Sequence, residues 1–453
     1  GSYTYLTPWV QMYSTYAAAG PYKIPNVKIE SVSAFTNNTL SSANRGFGSP
    51  QVNFAYERQM DQLADKLGIS RVEIRKRNIM HNGDAMPTGF IPQGHIALEE
   101  LIDKVDKSLN ATPKPDRLPD GRKVGRAIAI GHMTYGRLTF MHDSSRVSIR
   151  IELDGTVTLR AGVPDIGGGQ ASVLAEIVAE ELGLNIEDVH PFIMDTHLTP
   201  LCGTTTATRQ LYMSGNAAMK AADVMRDRIL NEASKILKYP VESLALGDRK
   251  VYLVNNPTVN VPFVTVVNSL SNNGGMLETI EQFNAPFTDV PNLKDIKGEV
   301  LPDLTYTCHG VEVAVDEETG VFEILRIIAG IDAGKMVNKN SCEGQVEGGA
   351  VYHSLWATHE DLQWRNGITK ANNFSTYIIP TSVDIPDIET IILESGGGFG
   401  PYGAKGVGEP SDNSIAPAVI NAIRDAIGTD LNLNKMPITY EKIMCACKGI
   451  KID

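Results

Sequence analysis

An α+β fold is predicted from three features of the 453-residue chain. Short runs of alternating apolar residues recur along it, which is the period of strands. Many are followed by a glycine- or threonine-rich turn and then by a segment with the apolar spacing of a helix. Strands and helices are mixed without the regular βαβ succession of a doubly wound sheet. No segment repeats at a fixed period, and the length allows two or three domains with separate cores.

In chain order, 26–35 alternates as a strand, Asn37-Asn38 marks a turn, and 51–67 carries Phe54, Met60, Leu63 and Leu67 at helical spacing. Residues 110–121 are polar and proline-rich and read as a linker. A first domain is therefore expected over 1–110 and a second over 121–453, the latter divisible into 121–300 and 301–453. Strands at 146–152 and 156–160 flank Asp154-Gly155, a hairpin signal. The turn 165–170 leads into a helix over 171–182, with Leu174, Ile177, Val178 and Leu182 on one side. Residues 203–210 lead into a long helix from about Ser214. Strands at 311–315 and 323–328 flank Glu318-Thr319-Gly320, and 343–349 opens a helix running to Leu355. The run 400–410 precedes a helix over 414–428 built on Ile415, Val419, Ile420, Ile423 and Ile427.

A formal net charge of −12 argues against a general nucleic-acid or anionic-membrane surface. No apolar run approaches the length of a membrane span. The five cysteines are scattered and odd in number, so a disulfide framework is not expected and a reducing, cytoplasmic compartment is. Cys445-Ala446-Cys447 is too tight for the usual zinc knuckle, and the histidines lack a paired ligand spacing. No protein-built metal site is expected, and Cys308-His309 reads as a strand-edge pair. The opening Gly1-Ser2-Tyr3 has neither initiator methionine nor signal peptide, which suggests a piece of a larger protein or a scar left by a cleaved tag.

Segments 44–51, 165–170, 203–210, 343–349 and 400–410 are each expected to set backbone amides at a helix N-terminus, which suits anions. Gln170, Gln210 and Gln345 can both donate and accept, as a pterin or nucleobase edge requires. Residues 165–170 are neither a Walker A loop nor a Rossmann fingerprint. Any one of these segments also reads as a plain tight turn. Together they favour one extended cofactor held between domains, which must itself hold any metal. Glu409 ends the glycine-rich run and is backed by Pro410, so it reads as one acid or base presented to a cavity, or as a solvated loop acid.

The motifs also carry a family resemblance. Arg45-Gly46-Phe47-Gly48-Ser49-Pro50-Gln51 resembles the Arg-Gly-Phe-Gly-x-Pro-Gln motif of the molybdenum hydroxylases, the xanthine oxidase family. Residues 343–349 resemble its Glu-Gly-Gln-x-Glu-Gly-Gly segment, 377–386 its Tyr-x-Ile-Pro-Thr-x-x-Asp-x-Pro, and 400–409 its Gly-Pro-Tyr-Gly-Ala-Lys-Gly-x-Gly-Glu. The resemblance implies two elongated mixed α/β domains with a molybdopterin at their interface, usually the cytosine dinucleotide in bacteria, and no protein ligand on molybdenum. Glu409 matches the family's base, which would deprotonate a Mo–OH group while hydride passes to a Mo=S sulfur. Arg45, through its backbone, and Phe47, against the substrate, match residues at the metal. Ile166, Gly167 and Gly168 match a second cofactor loop, continued here by Gly169 and Gln170. Ala207, Thr208, Arg209 and Gln210 match a third loop, and Gln345 a buried glutamine near the metal. Gly46, Lys405, Gly406, Val407 and Gly408 complete the matched cofactor segments.

Two departures stand out. The family's Gly-Gln-Gly is Gly167-Gly168-Gly169 here, with the amide only at Gln170. The Gly-Gly-Phe-Gly loop that closes over the cofactor is absent, as are the iron–sulfur and flavin modules. The resemblance therefore implies partners: a polypeptide carrying the N-terminal part of the molybdenum subunit, a [2Fe-2S] subunit and an FAD subunit. The implied reaction is hydroxylation with water as oxygen source, of an N-heteroaromatic such as nicotinate or a purine, or of an aldehyde. In the segment 137–142, Arg137 or His142 could pair with a substrate carboxylate, or lie on a solvated turn. The rivals are a non-catalytic scaffold paralogue, which would not need Glu409, and a reductive enzyme like the hydroxybenzoyl-CoA reductases.

Overall fold

The computed structural model describes residues 1–290 and 297–452. Two four-stranded sheets organise its mixed α+β fold. In the central sheet Lys123–Thr134, Leu304–Val315 and Phe322–Asp332 run antiparallel, and Asp387–Leu393 adds a parallel edge. The lateral sheet has the order Val189–Ile193, Val157–Ala161, Ser144–Ile151, Glu278–Asn284. The Asp154-Gly155 turn joins its two inner strands, with Val147 opposite Ala161 and Ile151 opposite Val157. The chain leaves the central sheet at Thr134, builds the lateral unit, and returns at Leu304 to pair with the strand it left. The central sheet thus joins the parts expected over 121–300 and 301–453.

Both faces of the central sheet are covered. Ile128, Ile130, Cys308 and Ile328 share a core with helix Leu98–Leu109. Ala127, Ala129, Val311, Val313 and Ile327 share another with helices Lys339–Trp356 and Ile415–Ile427. A strand buried on both faces need not alternate, and its length is easily under-read. Leu304–Val315 therefore extends upstream of the expected 311 through buried Thr305, Tyr306, Thr307, Cys308 and His309. Cys308 and His309 lie in this interior strand, not at an edge, and His309 Nδ1 meets Ser414 Oγ at 2.7 Å.

Other expectations are corrected. Residues 26–35 form no strand; Val32 and Phe35 project into solvent, and alternation alone gives the backbone no ladder to join. Helix Ser49–Leu67 does form, but Leu63 and Leu67 are exposed, while Asn53, Glu57 and Asp61 are buried. That i, i+4, i+8 row meets polar partners: Asn53 donates to Ile130 O, and Glu57 and Asp61 accept from Arg75 at 2.8 Å each. The helix expected to open at 343 begins at Lys339, with Asn338 accepting from the Ser341 amide. Among the described residues no helix is long and apolar enough to cross a membrane.

Three histidines are sealed in this core. Burial lowers His132 from the usual 6.5 to about 4, and His309 and His353 to about 3. Below pH 6.5 the unfolded chain takes up these protons and the folded chain does not, so this contribution to stability is lost as pH falls. Buried Glu57 and Asp412, whose carboxyls are raised by desolvation, work in the opposite sense. A single replacement separates the effects. Between pH 6.5 and about 3, the urea-unfolding free energy of His309→Asn is expected to fall less steeply than the parent's, by about 1.4 kcal/mol per pH unit.

Candidate cofactor site

The segments singled out in the sequence converge on one cavity of about 570 Å³. Helix Gln170–Leu182 and helix Lys339–Trp356 point their N-termini at it, contributing Gln170, Val173 and Leu174 from one and Asn338, Ser341 and Cys342 from the other. Arg45, Phe47, Ile166, Gly168, Gln170, Gln345 and the stretches 207–210 and 405–409 all line it. Gly46, Gly167 and Gly169 do not; they shape the turns behind the lining residues.

Glu409 sits on the wall, held from two sides. Thr208 Oγ1 donates to Glu409 Oε2 at 2.8 Å and accepts from the Glu409 amide at 3.1 Å. The Gly46 backbone also favours the ionised form of the same carboxylate. Desolvation raises the Glu409 carboxyl above the usual range, and Thr208, the Arg45 charge and Gly46 pull it part of the way back. The turns that do this are strained: Ala207 and Thr208 have φ of 52° and 51°, and Phe47 has 46° between two glycines. Such conformations in non-glycine residues persist where the surroundings over-determine them, which is typical of functional sites. Gly406 lies so close that a Cβ would meet Thr208 O at 2.7 Å. Gly406→Ala is therefore expected to part Glu409 from Thr208 while the fold survives, with circular dichroism unchanged and the Glu409 carboxyl, without its Thr208 donor, titrating higher than in the parent.

Several charged candidates turn out to be committed elsewhere. Lys405 Nζ donates to Asp332 Oδ2 at 2.8 Å and His95 O at 2.7 Å. Buried Arg209 makes a bidentate pair with Asp143, at 2.7 and 2.6 Å, and donates to Cys202 O and Thr204 O. These cations build the wall and do not reach into the cavity. Gln210 is tied within its own loop, donating to Thr205 Oγ1 and accepting from Ser214. The Gly167 and Gly168 amides donate to Asp165 Oδ1 at 2.9 and 3.1 Å, so this turn does not offer them to a ligand. Gln345 is half-buried on the helix and held loosely, with Arg45 Nη2 at 3.4 Å from its Oε1. Phe47 meets Tyr13 edge-on at 6.5 Å. Arg137 donates to Thr204 Oγ1 at 2.7 Å and His142 packs on Phe287, both outside the cavity lining.

Sequence patterns identified as the molybdopterin cofactor-binding domain match residues 1–79 and 103–386. The chain belongs to the molybdenum hydroxylase family. It corresponds to part of that family's molybdopterin-binding large subunit. A probable xanthine dehydrogenase subunit of Bacillus subtilis is 31% identical over 457 residues, covering 100% of this chain and 59% of the relative. The nicotine 6-hydroxylase large subunit of Paenarthrobacter nicotinovorans is 26% identical, covering 95% of this chain and 54% of the relative. Quinoline 2-oxidoreductase from Pseudomonas putida superposes with a TM-score of 0.86 at 25% identity, covering 98% of this chain and 58% of that one. Aldehyde oxidoreductase from Desulfovibrio desulfuricans gives 0.82 at 26%, covering 98% and 46%. The chain spans about half the length of the curated relatives it matches, from 44% to 59%.

The residues present fit the family's cofactor. Gln170 Oε1 is buried at the cavity without a hydrogen-bond partner among the described residues, as an amide awaiting a pterin edge would be. Two helix N-termini face the same space, which suits phosphate. Among the described residues no group of three or more His, Cys, Asp or Glu could hold a metal ion.

The segment 333–338, which lines the cavity through Ala333, Lys335, Met336, Val337 and Asn338, escaped the sequence reading. Its signal was the Asn338 cap between a strand end and a helix start, hidden by placing that start four residues late. The Arg45 side chain was missed as well. Its Nε donates to Gly408 O at 2.6 Å and its Nη2 to Ser411 Oγ at 2.9 Å, which ties the first motif to the last.

Proposed function

We propose that this chain forms the cofactor-holding wall of a multi-chain molybdenum hydroxylase in which Glu409 is the catalytic base. The observation that carries the reading is Glu409 itself. It is desolvated at the cavity wall and oriented by Thr208, Gly46 and Arg45, as a base needs to be. The scaffold alternative accounts for the glycines but not for a carboxylate so placed.

In this reading Gln170 and the helix N-termini at Gln170 and Lys339 hold a molybdopterin, in its cytosine dinucleotide form, and Phe47 packs against substrate. Bound there, the molybdenum centre would supply two-electron redox chemistry and the transfer of a water-derived oxygen to substrate. Glu409 takes up one proton per turnover, and Thr208 stays bonded to its Oε2 throughout. The strain at Ala207 and Thr208 keeps that hydroxyl aimed.

The substrate is an N-heteroaromatic or, second, an aldehyde; xanthine, nicotine, quinoline and aldehyde appear in the names of the relatives. A polypeptide carrying the N-terminal part of the subunit, a [2Fe-2S] chain and an FAD chain complete the enzyme in the cytoplasm. Division of the chain at 110–121 belongs to the same proposal, supported by the absence of helix or strand between Leu109 and Lys123. The deciding experiment is elemental mass spectrometry of the natively purified complex, with the co-purifying polypeptides identified. Near-stoichiometric molybdenum together with iron is expected. An intact complex without molybdenum would overturn the reading in favour of a scaffold.

A further inference from the structure

Behind Glu409 sits a second carboxyl that the proposed reaction does not use. Asp412 closes the short turn Pro410–Asp412 and is fully buried, and neither of its oxygens has a hydrogen-bond partner among the described residues. Its Oδ2 lies 3.5 Å from Arg45 Nε and 3.6 Å from His353 Nδ1. Its Oδ1 faces the Gly46 backbone, where a Cβ would stand 3.2 Å away. The same guanidinium donates to Gly408 O, one residue before Glu409, and its charge acts on Glu409 as well. One cation thus serves two desolvated carboxyls.

No other group nearby supplies a second positive charge among the described residues. His353 is wedged between Tyr352 and Trp356, at 5.1 and 4.8 Å between rings, with Nδ1 against the Asp412 carbonyl at 3.2 Å. Its Nε2 has no partner among the described residues, and burial keeps the ring neutral. Tyr352 donates to Asn44 Oδ1, and Tyr13, on helix Thr7–Ala17, accepts from the Thr134 amide. Burial raises both phenols, so they stay neutral too. Two ionised carboxylates beside the one guanidinium would leave a net negative charge next to the fully buried Asp412; one ionised carboxylate leaves none.

We propose that Asp412 and Glu409 share the Arg45 cation as a coupled pair: Asp412, a positioning residue, keeps its proton while Glu409 is ionised, which leaves the Arg45 charge to the base. Burial and the Glu409 charge hold the Asp412 carboxyl well above the usual carboxylate range, in keeping with this order. The inference leans on the proposed function only for the use of Glu409 as base; the coupling requires no cofactor.

The test is a pH-difference infrared titration of the full chain, freed of cofactor and isotope-labelled at the aspartate carboxyls so that aspartate and glutamate bands separate. The parent is expected to show an aspartate step displaced above the usual range. In Glu409→Gln that step is expected to move down by about one pH unit or more, because the like charge is gone. In Asp412→Asn the glutamate step is expected to stay in place, because its neighbour was already neutral there. An aspartate step that does not move in Glu409→Gln overturns the coupling. A glutamate step that moves down in Asp412→Asn overturns the assignment of the proton to Asp412. If Asp412→Asn fails to fold, Glu409→Gln alone decides. None of these outcomes touches the base assignment, which stands or falls on turnover of the loaded complex.

Discussion

Glu409→Gln is expected to leave the molybdenum content of the purified complex unchanged and to lower turnover by about 10²–10⁴-fold. The amide fills the volume of the carboxyl and still accepts the Thr208 hydroxyl, so the turns at 207–208 and 406–409 keep their shape. What the amide cannot do near neutral pH is take up a proton. In the parent, kcat/KM should climb with pH as Glu409 ionises. That limb should lie above the ordinary glutamate range, because desolvation outweighs the help of Thr208 and Arg45. In Glu409→Gln the limb should vanish along with the rate. Cofactor content and the pH profile, read together, distinguish a lost base from a collapsed pocket. Parent-like turnover in the variant would remove Glu409 from the chemistry.

Much of this site was legible because its turns are marked by residues that turns require. Glycine, threonine and glutamine at 44–51, 165–170, 203–210 and 400–410 fall where the backbone must bend sharply around one space, and all four segments reach the cavity. The direction in which individual side chains spend their charge was not legible. Lys405 and Arg209 fall in segments that match cofactor loops, yet each is engaged by a carboxylate more than sixty residues away, Asp332 and Asp143. Asp412 was silent for the converse reason. Nothing local marks an aspartate whose partner cation, Arg45, arrives from the other end of the chain.

The fold divides along the same line. The hairpin at Asp154-Gly155 and helix Ile415–Ile427 were readable because local turn chemistry and one apolar stripe decide them. Residues 26–35 alternate as a strand would, but pairing is a long-range property, and the structure leaves them exposed. Helix Ser49–Leu67 was placed correctly and its buried face was not, since its interior contacts are hydrogen bonds and ion pairs that apolar periodicity does not register.

That buried polar face supports the second large prediction. Arg75 is fully buried on helix Arg71–Asn78 and pairs with Glu57 and Asp61, both fully buried, at 2.8 Å each. Glu57 also accepts from the Ile130 amide at 2.9 Å and from the Tyr22 hydroxyl, so one carboxylate binds the helix to the central sheet. Removing the cation leaves Glu57 uncompensated in the core and Asp61 with only Arg71, whose Nε lies 3.6 Å from its Oδ2. Arg75→Met is expected to lower the unfolding free energy by about 3–5 kcal/mol, measured by urea titration. Adding Glu57→Gln and Asp61→Asn should recover part of that loss, since the orphaned charges go while the glutamine oxygen can accept from the Ile130 amide and its NH2 can donate to the Tyr22 hydroxyl oxygen. A loss as large in the triple variant would mean that packing of the Arg75 stem, not charge, holds the helix. The consequence reaches the cavity, because helix Ser49–Leu67, which carries Glu57 and Asp61, starts directly after the turn that holds Arg45 and Phe47. Loosening that helix at Glu57 and Asp61 should therefore weaken the grip of Arg45 on Gly408, the residue before the base.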